Sequence, residues 1–173
     1  MEKTMKFIIG QILGLVALAF TALSYQTESS KKLLVLQTIA TALFSIHYFL
    51  IGATSGLALN ILAIVRNLIY YKRDKKFFSG WFFPVLLSLG MGVVGALAWQ
   101  SWYSLLIIIA LMINTLFLAV PSAQTIRKSI LLTSTMILIY DVFVLSVGGI
   151  INEALAIISS VIGIIRMNRR EKA

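Results

Sequence analysis

The chain has no cysteine, one histidine, two prolines and six acidic residues among its 173. Without cysteine there are no disulfides, no thiolate nucleophile and no Cys-based metal site. A single histidine leaves no His/Asp/Glu cluster at metal-ligand spacing. No glycine-rich phosphate loop or GxSxG elbow is present, and no Ser or Thr has a base at a suggestive spacing. These gaps argue against an enzyme and imply no cofactor and no metal. Charge of either sign is scarce: 12% of residues, against about 25% in soluble domains.

Apolar residues fill the space. They make up 60% of the chain, and the mean hydropathy is +0.96, whereas soluble chains hold about 45–50% apolar residues. A soluble core could not absorb that excess, so the fitting solvent is lipid. The net charge of +9 would point to nucleic acid in a soluble protein. Here Lys and Arg stand in short clusters between apolar runs, the pattern that encodes membrane topology, and nucleic acid is discounted. The apolar run at residues 7–23 has a basic flank but no small-residue cleavage site, and so reads as a packed helix rather than a signal peptide.

Seven apolar segments follow one another: residues 7–23, 33–51, 56–71, 82–99, 102–120, 130–147 and 150–165. Crossing a bilayer takes ~20 helical residues, with a lower limit of ~17, so the third and seventh must borrow from their flanks. The turns at 99–102 and 147–150 are poorly marked, which keeps five or six helices in competition. The basic residues decide for seven. With loops alternating, one side receives only Lys3 and Lys6, while Lys31, Lys32, Lys72, Arg73, Lys75, Lys76, Arg127, Lys128, Arg169, Arg170 and Lys172 gather on the other. Short basic loops stay in the cytoplasm, which predicts an external N-terminus and a cytoplasmic C-terminus. Tyr71, Trp81, Trp99, Trp102 and Tyr103 fall at segment ends, where amphipathic rings favour the interface.

Sliding the chain against itself gives one informative offset, 96 residues, which sets Lys31-Lys32 on Arg127-Lys128 and Gly52 on Gly148. The expected architecture is an all-α membrane domain of two three-helix units, 7–76 and 102–172, joined by a linker helix at 82–99. Three helices per unit plus one crossing leave both units facing the same way, the parallel 3+1+3 plan of SWEET-like transporters. Gly90, Gly92 and Gly95 in the linker, like Gly10 and Gly14 in the first helix, allow close helix packing.

The stretch Phe44-Ser45-Ile46-His47-Tyr48, with Gly52-Ala53, Gly56, Asn60 and Arg66, resembles the signature region of the YgjV family of bacterial inner-membrane proteins. That resemblance implies an inner-membrane location and three-helix repeats akin to those of SWEET, PQ-loop and PnuC-type vitamin transporters. PQ-loop proteins carry Pro-Gln at the end of the first helix of each triple. This chain keeps half of the pair at each place, in Tyr25-Gln26 and Pro121-Ser122, so Gln26 and Pro121 become hinge candidates. At Pro121 the physical reason is plain: proline removes a donor and frees a backbone carbonyl.

A charge at mid-membrane costs at least ~2.5–3.5 kcal/mol, so every polar residue inside a helix is a candidate site. His47 lies ~6 Å below the outer end of the second helix and Asp141 ~9 Å below that of the sixth, at 1.5 Å per residue. Placed in equivalent helices, they form a candidate proton or cation coupling pair; the alternative is a hydrogen-bonded histidine and a carboxylate in a watery vestibule. Asn60 and Asn114 are candidate solute contacts or, alternatively, interhelical glue. Arg66 either snorkels to the cytoplasm or pairs with an anionic solute. Asn67 reads as glue and Glu153 as surface.

Two functions remain open. One is a facilitator or proton-coupled transporter of a small polar, sugar- or vitamin-like solute. The other is a non-transporting receptor, sorting or assembly protein on the same fold. The expected partners are the lipid bilayer and a small solute, with self-association into a homo-oligomer left open.

Overall fold

The computed structural model describes residues 2–25, 30–72, 80–120 and 123–170. Among these residues the regular structure is all helical, in seven elements: α1 (Glu2–Tyr25), α2 (Ser30–Ile51), α3 (Thr54–Tyr71), α4 (Phe82–Leu97), α5 (Ser104–Phe117), α6 (Ala123–Phe143) and α7 (Val147–Arg170). Leu, Ile and Ala dominate these runs, residues that either lose little freedom in a helix or bury well beside it. The stretches Glu2–Ser24, Leu34–Ile51 and Val147–Ile165 are each long and apolar enough to cross a bilayer, while Phe82–Leu97 and Ser104–Phe117 are apolar but shorter.

The helices close into a ring. α1 packs on α2, α2 on α3, α3 on α5, α5 on α6, α6 on α7, and α7 returns to α1. α4 lies against α3 and α5, so close to α5 that a methyl group on Gly95 would collide with Ile108. Large apolar side chains such as Phe49, Phe82, Val93 and Leu97 face outward, whereas Ser55, Arg66, Asn67, Ser104, Thr115, Thr133 and Asp141 are buried. Alongside a buried apolar cluster that includes Leu59, Met91 and Ile107, an apolar exterior and a share of buried polar groups suit a lipid surround. Trp81, Trp99 and Trp102 stand exposed next to helix ends, the position that interfacial rings prefer.

Two tight turns shape the interior. Gly52, at φ 79°, ends α2 in the left-handed region that glycine enters freely. Its N–H bonds Phe49 O (3.2 Å), and Ala53 N–H bonds Tyr48 O (2.8 Å). Leu145, at φ 56°, does the same for α6: its N–H bonds Val142 O (3.2 Å), and Ser146 N–H bonds Asp141 O (2.9 Å). The turns correspond at a spacing of 93 (145 − 52) rather than 96. Gly148 is therefore not the counterpart of Gly52. It sits in the first turn of α7, against the backbone of Gly14. Val147 likewise opens α7 instead of closing α6, because the left-handed residue at 145 stops α6 before it.

A glutamine from elsewhere grips each turn. Gln11 of α1 donates Nε2–H to Leu145 O (2.6 Å) and accepts Val147 N–H (3.0 Å). Gln100, between α4 and α5, donates to Gly52 O (2.9 Å) and accepts Ser55 N–H (3.2 Å). Backbone groups that the left-handed residues leave without helical partners are satisfied in this way.

A polar layer above a polar cavity

The ends of α2 and α6 carry adjacent titratable pairs, His47-Tyr48 and Tyr140-Asp141, in the same place relative to their turns. All four side chains are buried, His47, Tyr140 and Asp141 completely. His47 Nδ1 lies 2.7 Å from Gly10 O. That carbonyl can only accept, so Nδ1 carries the hydrogen. His47 Nε2 meets Ser146 Oγ at 2.8 Å, and the same oxygen accepts Gly149 N–H at 3.1 Å. Tyr48 donates its hydroxyl to Asp141 Oδ1 (2.7 Å), and Tyr140 Oη accepts Gly56 N–H (2.8 Å). Asp141 Oδ2 is buried with no hydrogen-bond partner.

The layer is built on close backbone approach. An added methyl group would collide with Asp141 Oδ2 at Gly149 and would sit 2.9 Å from Tyr140 Oη at Gly56. His47 and Asp141 thus occupy one layer. They are joined through Ser146 and Tyr48 rather than facing each other across open space, and their complete burial puts neither in a vestibule.

Next to this layer lies a cavity of ≈ 200 Å³ lined by all six ring helices, with no lining residue from α4. Tyr48 lines it and so connects it with Asp141. Asn60 of α3, Asn114 of α5 and Arg66 of α3 all reach it, joined by Thr21, Thr41, Thr133, Asn152 and Glu153. Arg66 is 7% exposed and held inside by neutral groups. Nη1 bonds Asn114 Oδ1 (3.0 Å), while Nε and Nη2 bond Asn67 Oδ1 (3.2 and 3.1 Å). Asn67 accordingly orients the arginine. Asn60 Nδ2 bonds Gly56 O (2.9 Å).

Glu153 does not belong to the outer surface. It lines the cavity and accepts Asn152 Nδ2–H at 2.9 Å. With α7 starting at Val147 rather than near Ile150, Glu153 falls in the second turn. The sequence signal that would have found it is its rarity, as a carboxylate within an apolar run. Of the two hinge candidates, Gln26 and Pro121 both lie outside the described residues. Among the described residues no group of three or more His, Cys, Asp or Glu is placed to hold a metal ion.

The sequence model of one family, Imp-YgjV, described as a bacterial inner membrane protein, matches residues 8–171. No curated protein and no solved structure is significantly similar to the chain. With nearly its whole length matched, the chain belongs to the Imp-YgjV family of bacterial inner membrane proteins.

Proposed function

From that membership we propose that the protein carries a small polar solute across the bacterial inner membrane, binding it in the cavity of the helix ring. The observation behind this reading is the lining. Asn60, Arg66 and Asn114 from two helices meet Thr21, Asn152 and Glu153 from two others around one cavity. Polar groups surrounded by lipid-facing helices are costly unless they face protein, water or solute, and transporter sites gather between repeated units. The proposal includes seven membrane spans, an external N-terminus and a cytoplasmic C-terminus. It also takes residues 7–76 and 102–172 as two parallel three-helix units about a linker at 82–99, in the manner of SWEET proteins. The two corresponding turns and their glutamine grips support that plan.

In this mechanism Asn60 and Asn114 contact the solute, and the His47–Asp141 layer sets the pH dependence. Tyr48 passes the layer's protonation state on, because it touches both Asp141 and the cavity. Reconstitution into proteoliposomes followed by a solute uptake screen tests the reading. For a transported solute, Asn60→Ala and Asn114→Ala should each weaken binding by about 1–3 kcal/mol, the cost of a lost buried partner. His47→Phe should flatten the pH profile of uptake. Uptake that is unaffected by both asparagine variants would place the solute elsewhere. An unchanged pH profile in His47→Phe would make the histidine purely structural.

A further inference from the structure

The hydrogen-bonding groups of the cavity sort by type along its length. Arg66 supplies one end. Its partners are the neutral Asn67, Asn114 and Thr115, and the ion pair found among the described residues is Lys6–Glu2, on the exposed start of α1. A guanidinium has five N–H donors; Nε, both hydrogens of Nη1 and one of Nη2 are engaged, so Arg66 keeps one Nη2–H. Asn114 gives its Oδ1 to the arginine, which leaves its NH₂ as a further donor. This end is cationic and rich in donors.

The other end accepts. Asn152 Oδ1 is buried with no hydrogen-bond partner, and its own NH₂ is turned to Glu153 Oε1. Asn60 uses its NH₂ on Gly56 O, which leaves Oδ1 as an acceptor. Asn60 and Glu153 stand equally far past the left-handed residues of their turns (60 − 52 and 153 − 145) and so share a level. Arg66 lies ~9 Å further along α3, at 1.5 Å rise per residue. A buried cation without a counter-ion and a buried acceptor without a donor are both expensive in a low-dielectric interior. One molecule bearing opposite charges satisfies both.

We infer that the solute is a small dipolar ion, with one ammonium group at Glu153 and Asn152 Oδ1 and one carboxylate or phosphate at Arg66. This rests on reading the cavity as a solute site. The ≈ 200 Å³ of space falls below the ~300–1,000 Å³ of drug-sized pockets, which fits a molecule of amino-acid size.

The test uses the full chain, purified in detergent, with binding followed by calorimetry and thermal shift. The dipolar probes are 4-aminobutyrate and O-phosphoethanolamine, whose ranking separates carboxylate from phosphate. Butyrate, butylamine, butanamide and glucose are the controls. A dipolar probe should bind about tenfold or more tightly than its singly charged counterparts. Arg66→Gln should abolish the preference for 4-aminobutyrate over butylamine, and Arg66→Lys should restore part of it. Glu153→Gln should abolish the preference over butyrate. Melting of each ligand-free variant identifies one that fails to fold, and the other arm then carries the test alone. Tighter binding of glucose or butanamide, indifferent to both charge substitutions, overturns the dipolar-ion inference and leaves the cavity a solute site. Binding by none of the charged or neutral probes overturns the inference together with the solute-site reading.

Discussion

Gly149 shows how little room the polar layer has. Its missing side chain lets Asp141 Oδ2 and Ser146 Oγ approach the start of α7, and a methyl group there would collide with the carboxylate. Both oxygens belong to buried residues held by hydrogen bonds, so neither can swing aside cheaply. Gly149→Ala should therefore cost about 1–3 kcal/mol, the usual penalty of overpacking a tight interior. Gly90→Ala is the matched control. Its methyl group would meet only Leu62 Cδ2 at 3.5 Å, an ordinary contact, while the helix gains up to about 1 kcal/mol of propensity. Thermal melting in detergent should show a clear drop for the first variant and none for the second. Equal melting of both would mean that the layer yields. Asn60, Arg66 and Asn114 were legible in the sequence for one reason: a polar side chain amid lipid-facing residues has few innocent roles. Glu153 was misplaced because its depth depends on where α7 begins.

That beginning depends on an unusual helix end. Glycine is the common signal for a left-handed stop, and Gly52 provides it after α2. After α6 the same backbone is imposed on Leu145. A sequence reader therefore places the stop at Gly148 and shifts the α6–α7 turn by about three residues. Apolar run length gave the helices their order, but it carries no information about a leucine forced into a glycine's conformation. The two turns make opposite predictions. Gly52→Ala should destabilise by about 1–2 kcal/mol, the penalty for a Cβ in the left-handed region. Leu145 is 63% exposed, so Leu145→Gly loses little packing. Relief of about 1 kcal/mol of backbone strain roughly balances the ~0.5–1 kcal/mol entropic cost of glycine, and the variant should melt at or slightly above the wild type. Gln11 and Gln100 hold both turns, a role the sequence does not disclose, because a glutamine reads as an ordinary polar residue until its distant backbone partner is known.

Across the molecule, the proposed orientation rests on charge asymmetry between loops. A reporter fused after Ala173 should be cytoplasmic, and one placed before Phe7 external. Protease protection in spheroplasts checks both. Finding the two reporters on one side would remove the odd number of spans and, with it, the parallel arrangement of the two units. The ring closure between α1 and α7 is indifferent to that outcome, since it depends on contacts and not on which compartment each end faces.

The closure also puts the protein's birth in a particular order. α1 leaves the ribosome long before Leu145 and Val147 exist, yet Gln11 satisfies its amide on those two residues, and Gly10 O waits for His47. Until α7 is made, the nascent bundle has an open side seam with an unsatisfied glutamine along it, and the cavity lacks the wall that α7 supplies. Synthesis of α7 and sealing of the polar interior from lipid are then nearly one event. A chain stalled before α7 would carry a lateral slot of buried polar groups, a feature that distinguishes unfinished copies from finished ones within the same membrane.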